Sequence, residues 1–418
     1  MSSAFPPEQP PAELLVVGAS EVLTCGRMAD ASGAEGDRIP GGCVAVGDGQ
    51  ILAVGPEAQL RERYDCSSAT VVEAKGGAVA PGFVDAHTHL VFGGSRVREY
   101  AARLTRSRPE VEELGIETGI MATVAMTRSE DEETLYAAAA SRLEELLAHG
   151  TTTAESKSGY GLDVFSEIKL LRVNRRLDDS HPIDIVSTFM GAHDFPRELE
   201  REAYIDQVID EMIPRVAAED LAGFCDVFCD EGYYTVEQTR RILEAGIASG
   251  MAPKIHADQY SDMGGAGLAA ELAVVSADHL NFTGPEGLRD MAEAGVVAVL
   301  MPLIDFAVQH PRPIRARDWI DAGLEIALGT DLCPGGYSVS MPLAIQFACR
   351  WNGLSPEEAL MAATAGSARA CRLADRGAIV PGAVADLQVW DVPSLEDMVY
   401  RIGHNPVRTV IKNGKVVA

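Results

Sequence analysis

Between residues 77 and 377, apolar strand-like runs alternate with amphipathic helical segments, and this alternation narrows the possible folds more than any other feature of the chain. Eight strand runs are read, at 77–87, 150–156, 183–193, 223–230, 252–258, 272–279, 296–301 and 324–331. The helices between them carry their own punctuation. Ser129-Glu130-Asp131-Glu132 reads as a capping box, opening a helix that buries Leu135, Leu143, Leu146 and Leu147 and stops at Gly150. Ser355-Pro356-Glu357-Glu358 reads as a second box, with proline at the first helical position. Eight strands alternating with helices over this length are what an α/β fold of the (β/α)8 TIM-like barrel type requires. A doubly wound open sheet competes, but no GxGxxG turn follows the first strand.

Outside the repeat, β-like runs lie at 14–18, 43–46 and 51–54, the last two joined by a Gly47-Asp48-Gly49 turn. At the other end, runs at 385–391 and 407–417 follow, the latter folding back at Asn413-Gly414. Neither end has enough strands to bury a face alone. The two are therefore expected to combine into a small β-sandwich domain, residues 13–76 plus 378–418, beside a barrel of residues 77–377. Residues 1–12, rich in proline, are expected to form a disordered tail.

Composition excludes some partners. Of 418 residues, 35 are basic and 62 acidic, a net charge of -27, which argues against nucleic acid and anionic membranes. No apolar run reaches the roughly 18–20 residues of a membrane span, and the first residues lack the basic start and apolar core of a signal peptide. The eight cysteines are scattered, without a CxxC pair, so free thiols in a reducing cytoplasm are expected. The expected partner is a small-molecule substrate.

In a barrel, reactive groups gather at the C-terminal ends of the strands. Strand one ends in Asp85-Ala86-His87-Thr88-His89, strand two runs into Glu155-Ser156-Lys157-Ser158-Gly159-Tyr160, and strand three ends at His193. Strands four, five, six and eight end at Asp230-Glu231, His256-Ala257-Asp258-Gln259, Asp278-His279 and Thr330-Asp331. Five of the nine histidines thus fall at strand ends, and His149, His181, His310 and His404 read as surface or structural. Residues two apart on an extended chain point to the same side, so His87 and His89 can meet one ion. A histidine-rich site with one carboxylate suits Zn2+, Fe2+ or Mn2+. Two-ion barrels bridge their metals with a modified lysine at the end of strand four. Here that end reads Phe228-Cys229-Asp230-Glu231, which favours a single ion, and Lys157 reads as a structural ion-pair partner.

The runs PGFVDAHTHLVFGGSR (81–96), TTTAESKSGYGLD (151–163), STFMGAHDFP (187–196), KIHADQ (254–259), SADHL (276–280) and TDLCPGG (330–336) resemble the imidazolonepropionase family of the amidohydrolase superfamily. The resemblance implies ring opening of 4-imidazolone-5-propanoate to N-formimino-L-glutamate in histidine breakdown. It implies one divalent ion, Zn2+ or Fe2+, on His87, His89, His256 and Asp331. It places His279 beside the ion against the reacting carbonyl and Gln259 near the ring, and Asp331, bound to the ion, is then well placed to carry the proton. Arg96 would pair with the substrate carboxylate, which its planar guanidinium suits. Tyr160 and His193 would touch ring or carboxylate, and a homodimer is implied.

Several family features are changed. In the substrate-contact segment Cys333, Gly335 and Gly336, an asparagine and a hydroxyl residue of the family are replaced by Cys333 and Gly336. Met301-Pro302-Leu303-Ile304-Asp305 stands where the family has Leu-Pro-Gly, and Pro109 lies near a family tyrosine. These changes touch substrate contacts and leave the metal chemistry intact. A related cyclic amidohydrolase or aminohydrolase (deaminase) on another heterocycle is therefore the alternative, and ammonia release separates the two. A non-enzymatic barrel predicts loss of a ligand, and all four are retained. Cys333 as a nucleophile is disfavoured, because no dedicated base accompanies it.

Overall fold

The computed structural model describes residues 10–26 and 38–418. Eight parallel strands stand side by side in chain order: β1 (Phe83–Asp85), β2 (Thr151–Lys157), β3 (Asp184–Ala192), β4 (Phe224–Cys229), β5 (Ala252–Ala257), β6 (Ser276–His279), β7 (Val297–Leu300) and β8 (Glu325–Leu328). Backbone bonds just past the strands close the ring: Ala86 N to Leu328 O at 3.2 Å, Asp331 N to His87 O at 3.0 Å and His89 N to Leu332 O at 2.9 Å. The (β/α)8 barrel expected from the alternation is present. Its strands are buried on both faces, as parallel strands under a helical layer are.

The first run is not one strand. Val79–Pro81 pairs antiparallel with Leu387–Trp390 in the small domain, and only Phe83–Asp85 joins the barrel, against β2. Gly82 is the crossing point. A Cβ there would lie 2.3 Å from Thr152 Oγ1, so only glycine lets the chain pass between the sheets. One cap also differs. Helix Glu132–Ala148 is opened by Asp131, whose carboxylate accepts from Thr134 N at 2.8 Å. Ser129 instead ends the preceding helix, Gly119–Ser129, and its hydroxyl donates to Met126 O. The helix buries the four expected leucines and gives way to Gly150, at φ +87. The Ser355–Glu358 box is formed as expected.

Both termini build the small domain. One sheet orders Gln50–Pro56, Gly42–Gly47, Leu14–Val17 and Thr70–Glu73; the other orders Lys415–Val416, Val407–Lys412, Leu387–Trp390, Val79–Pro81, Glu21–Leu23 and Arg38–Pro40. Leu14, Val16, Val44 and Val46 of the first meet Val22, Val79, Leu387 and Ile411 of the second in one core. The alternate residues Leu15, Val17, Cys43 and Ala45 pack against Leu60 and Tyr64, in and just after helix Glu57–Arg63. The period of two thus feeds both faces of one sheet. Positive φ at Asp48-Gly49 and Asn413-Gly414 forms the two expected hairpins. Of the expected tail, residues 1–9 lie outside the described residues, while Pro11 bridges Asp65 and Ala12 N donates to Asp65 O at 2.9 Å.

Candidate active site

The strand-end histidines converge at the C-terminal mouth of the barrel. Ring centroids of His87 lie 5.4 Å from His89, 4.6 Å from His256 and 5.5 Å from His279. Asp331 Oδ1 is 3.6 Å from His87 Nε2. Ligand atoms of His87, His89 and His256 lie within 4.8 Å of one another, as do those of His87, His279 and Asp331. Carboxylates set two of the tautomers. His87 Nδ1 donates to Asp278 Oδ2 at 2.7 Å, and His256 Nδ1 donates to Asp226 at 3.1 Å. With the proton on Nδ1, Nε2 of each ring presents a bare lone pair.

Those two Nε2 atoms are buried without a hydrogen-bond partner, and so are Nδ1 of His89 and Nδ1 of His279. Orphaned buried nitrogens are costly unless something accepts their lone pairs. Those of His87, His89 and His256 beside the Asp331 carboxylate fit a divalent cation of the Zn2+ or Fe2+ class, and that of His279 lies next to them. Burial keeps the rings neutral, as ligands must be: it drives His87, His89 and His279 well below the ordinary value. Burial, with His256 nearby, takes His193 down to about 3. Burial also lifts the Asp331 carboxyl to about 6, against the pull of His256. His279 and Asp331 both hold left-handed backbone, at φ 76 and 47, a strain typical of functional strand ends.

Beneath the histidines lies a layer of buried charge that the sequence reading does not assemble. Lys157 Nζ contacts Asp226 Oδ2 at 2.7 Å, Glu155 Oε2 at 2.9 Å and Asp278 Oδ2 at 3.2 Å, and Lys254 Nζ contacts Glu155 Oε1 at 2.7 Å. Every one of these side chains is fully buried. Burial opposes the charge on Lys157, but Asp226, Asp278 and Glu155 outweigh it and hold the ammonium well above its ordinary value. The signal for this layer is charge inside apolar strands at a spacing of two: Glu155 with Lys157, and Lys254 with His256.

Above the histidines opens a cavity of about 590 Å³. His89, Arg96, Tyr160, His193, His256, Gln259, His279, Asp331, Cys333 and Gly335 line it, so the residues singled out in sequence are brought together, with His87 fully buried against His89, His256 and His279 of the lining and Gly336 packed against Ile304. His193 stacks on His89 at 4.7 Å and bonds Gly159 O through Nδ1 at 3.0 Å. Arg96 is already engaged. Its Nε and Nη2 donate to Glu99 at 2.6 and 2.8 Å, leaving Nη1 on the side of Gly335. Burial pushes the Cys333 thiol far up, so it is no thiolate nucleophile.

Other cavity residues are not singled out by sequence: Glu99, Tyr100, Arg103, Arg108, Tyr233 and Tyr260. Arg108 stands next to Pro109, where the family tyrosine is missing. His310, read as surface or structural, is buried; its Nε2 holds Gln259 O at 2.9 Å. Asp230, at the strand-four end, takes no part in the cluster and instead accepts from Tyr260 N and Ser261 Oγ.

The two altered motifs prove to be neighbours. A Cβ at Gly336 would lie 2.5 Å from Ile304 Cδ1 and 3.2 Å from Ala307 Cβ. Ile304 sits in helix Pro302–Ala307, which begins where Leu-Pro-Gly was expected. The isoleucine fills the space that a hydroxyl side chain at 336 would need.

Known proteins resemble this chain in sequence and in fold. A model of the amidohydrolase family matches residues 101–418, and one of an imidazolonepropionase-like composite domain from bacteria matches residues 42–65. The imidazolonepropionase of Geobacillus kaustophilus is 47% identical over 91% of this chain and 90% of its own. That of Symbiobacterium thermophilum is 43% identical over 97% of each. Among solved structures, an adenosine deaminase from Xanthomonas campestris with bound zinc is 21% identical, with a TM-score of 0.74 over 98% of this chain and 93% of that one. An atrazine chlorohydrolase from Arthrobacter aurescens TC1 complexed with zinc is 16% identical, with a TM-score of 0.71 over 97% and 95%. At these identities the two structures speak to the fold alone.

Proposed function

This chain belongs to the imidazolonepropionase family of the amidohydrolases, and from that premise we propose how its own residues perform the reaction. It is a hydrolase of carbon–nitrogen bonds in cyclic amides, opening the ring of 4-imidazolone-5-propanoate to N-formimino-L-glutamate in histidine degradation. The observation that carries the assignment is the set of buried, unpartnered histidine nitrogens beside Asp331.

His87, His89, His256 and Asp331 would hold one divalent ion, Zn2+ or Fe2+. When bound, such an ion supplies Lewis-acid polarisation and lowers the pKa of water. Asp331 takes the proton from the attacking water and passes it to the ring nitrogen as its bond to the carbonyl carbon breaks. The oxygen stays on that carbon, so water is added across the bond. His279 hydrogen-bonds the carbonyl oxygen, and Gln259 holds the ring in the reacting plane. Glu99 locks one edge of the Arg96 guanidinium, leaving Nη1 to meet the substrate carboxylate. Tyr160, His193, Cys333, Gly335 and Gly336 shape the remaining walls. These contacts act by orientation and affinity more than on the chemical step. The enzyme works as a homodimer in the cytoplasm. Among the described residues no helix is long and apolar enough to cross a membrane.

The test is an assay of metal-analysed protein on freshly generated 4-imidazolone-5-propanoate, following loss of the ring chromophore. Chelator-sensitive turnover without ammonia is expected. Ammonia release would support the aminohydrolase reading instead, and a metal-loaded, folded protein without turnover would overturn the substrate.

A further inference from the structure

Two of the histidines depend on carboxylates for their tautomers, and both carboxylates depend on one ammonium. Asp278 Oδ2 accepts from His87 Nδ1 at 2.7 Å, and the same oxygen lies 3.2 Å from Lys157 Nζ. Asp226 Oδ2 is 3.1 Å from His256 Nδ1 and 2.7 Å from Lys157 Nζ. Lys157 leaves the end of β2, Asp226 lies in β4 and Asp278 in β6, so one side chain reaches across three strands. The third contact, Glu155, ties Lys157 to Lys254 and takes the Thr188 hydroxyl at 2.6 Å. None of these groups is exposed to water.

We propose that Lys157 is a positioning residue for the metal centre: its ammonium holds Asp226 and Asp278 so that His256 and His87 keep Nε2 free and aimed at the ion. Without Lys157, the two buried carboxylates lose the one ammonium that both contact, at 2.7 and 3.2 Å, and among the described residues nothing else anchors them toward the histidines with a charge. A carboxylate that rotates away no longer accepts from its histidine's Nδ1–H, and the ring is no longer held with Nε2 toward the ion. Lys254 does not replace Lys157, because its ion pair is with Glu155 and not with Asp226 or Asp278. Outer partners of this kind typically govern metal affinity by 10–100-fold. The inference rests on the metal site of the proposed function.

The experiment is Zn2+ affinity of the full chain, by competition with a chromogenic chelator. Lys157→Met removes one positive charge and risks unfolding. The paired change Lys157→Met with Glu155→Gln removes one charge of each sign, and circular dichroism checks its fold. A 10–100-fold loss of Zn2+ affinity in the folded double variant is expected, with Lys157→Arg recovering part of it. A folded double variant binding Zn2+ within about twofold of wild type overturns the inference and makes the network purely structural. Wild-type protein that binds no metal would instead overturn the metal site, so the two failures are distinguishable.

Discussion

The floor and the wall of the active site are built differently. On the floor, Lys157, Glu155, Asp226, Lys254 and Asp278 rise from barrel strands and His87 stands just past the end of one, all fully buried and tied to one another. The wall comes from loops and short helices, and it mixes half-buried Arg96 and buried Tyr160 with exposed Tyr100 and Tyr260. The floor holds the charged network behind His87 and His256, while Ile304, Cys333 and Gly336 lie in or against the wall. A network in which each polar group satisfies several others tolerates little replacement. A loop wall is free to exchange one packing solution for another.

Substitutions on either side sharpen this contrast. The largest effect is expected on the floor side, where Asp331→Asn should lower kcat by about 10³-fold or more. Near-wild-type steady-state turnover would remove Asp331 from the proton path. In the wall, Arg96→Ala should raise KM by about 10–100-fold, the worth of a charge-assisted contact. A kcat loss as large as the KM change would instead move Arg96 into the chemical step.

His193 spans floor and wall, and it makes stability depend on pH. Its folded value is about 3 against 6.5 for the free side chain, so the unfolded chain binds the proton first. Stability from this ring is complete above pH 6.5 and is lost as pH falls toward 3. At pH 5 the loss is about 2 kcal/mol. Tm measured between pH 7.5 and 5 should therefore fall less steeply in His193→Gln than in wild type, and parallel slopes would contradict the burial argument. The smallest effect concerns the altered motifs. Gly336→Ser should cost about 1–2 kcal/mol by overpacking, and Ile304→Ala in the same chain should recover most of it. Thermal melts showing simple additivity would mean that the two positions are independent.

Much of the architecture is readable along the chain. Alternation locates all eight barrel strands, and glycine-containing turns locate both hairpins. Strand-end placement picks out His87, His89, His193, His256 and His279 without any pairing information. Two of the departures share a cause. Ser129 reads as the cap although Asp131 fills that place, and 77–87 reads as one strand although it serves two sheets. In both cases the local pattern allows either answer, and a distant neighbour decides.

By itself, the sequence determined the features set by the geometry of each residue's own backbone: which runs are strands, which side chains share a face, and which polar groups reach the barrel mouth. Only the tertiary structure decided which of them meet. The parallel register that sets His256 opposite Asp278 brings the two layers of the site together. Lys157 meets Asp226 across 69 positions, and Ile304 closes the space beside Gly336. Such contacts depend on strand register and barrel closure, quantities set by the whole packed core and written in no single segment.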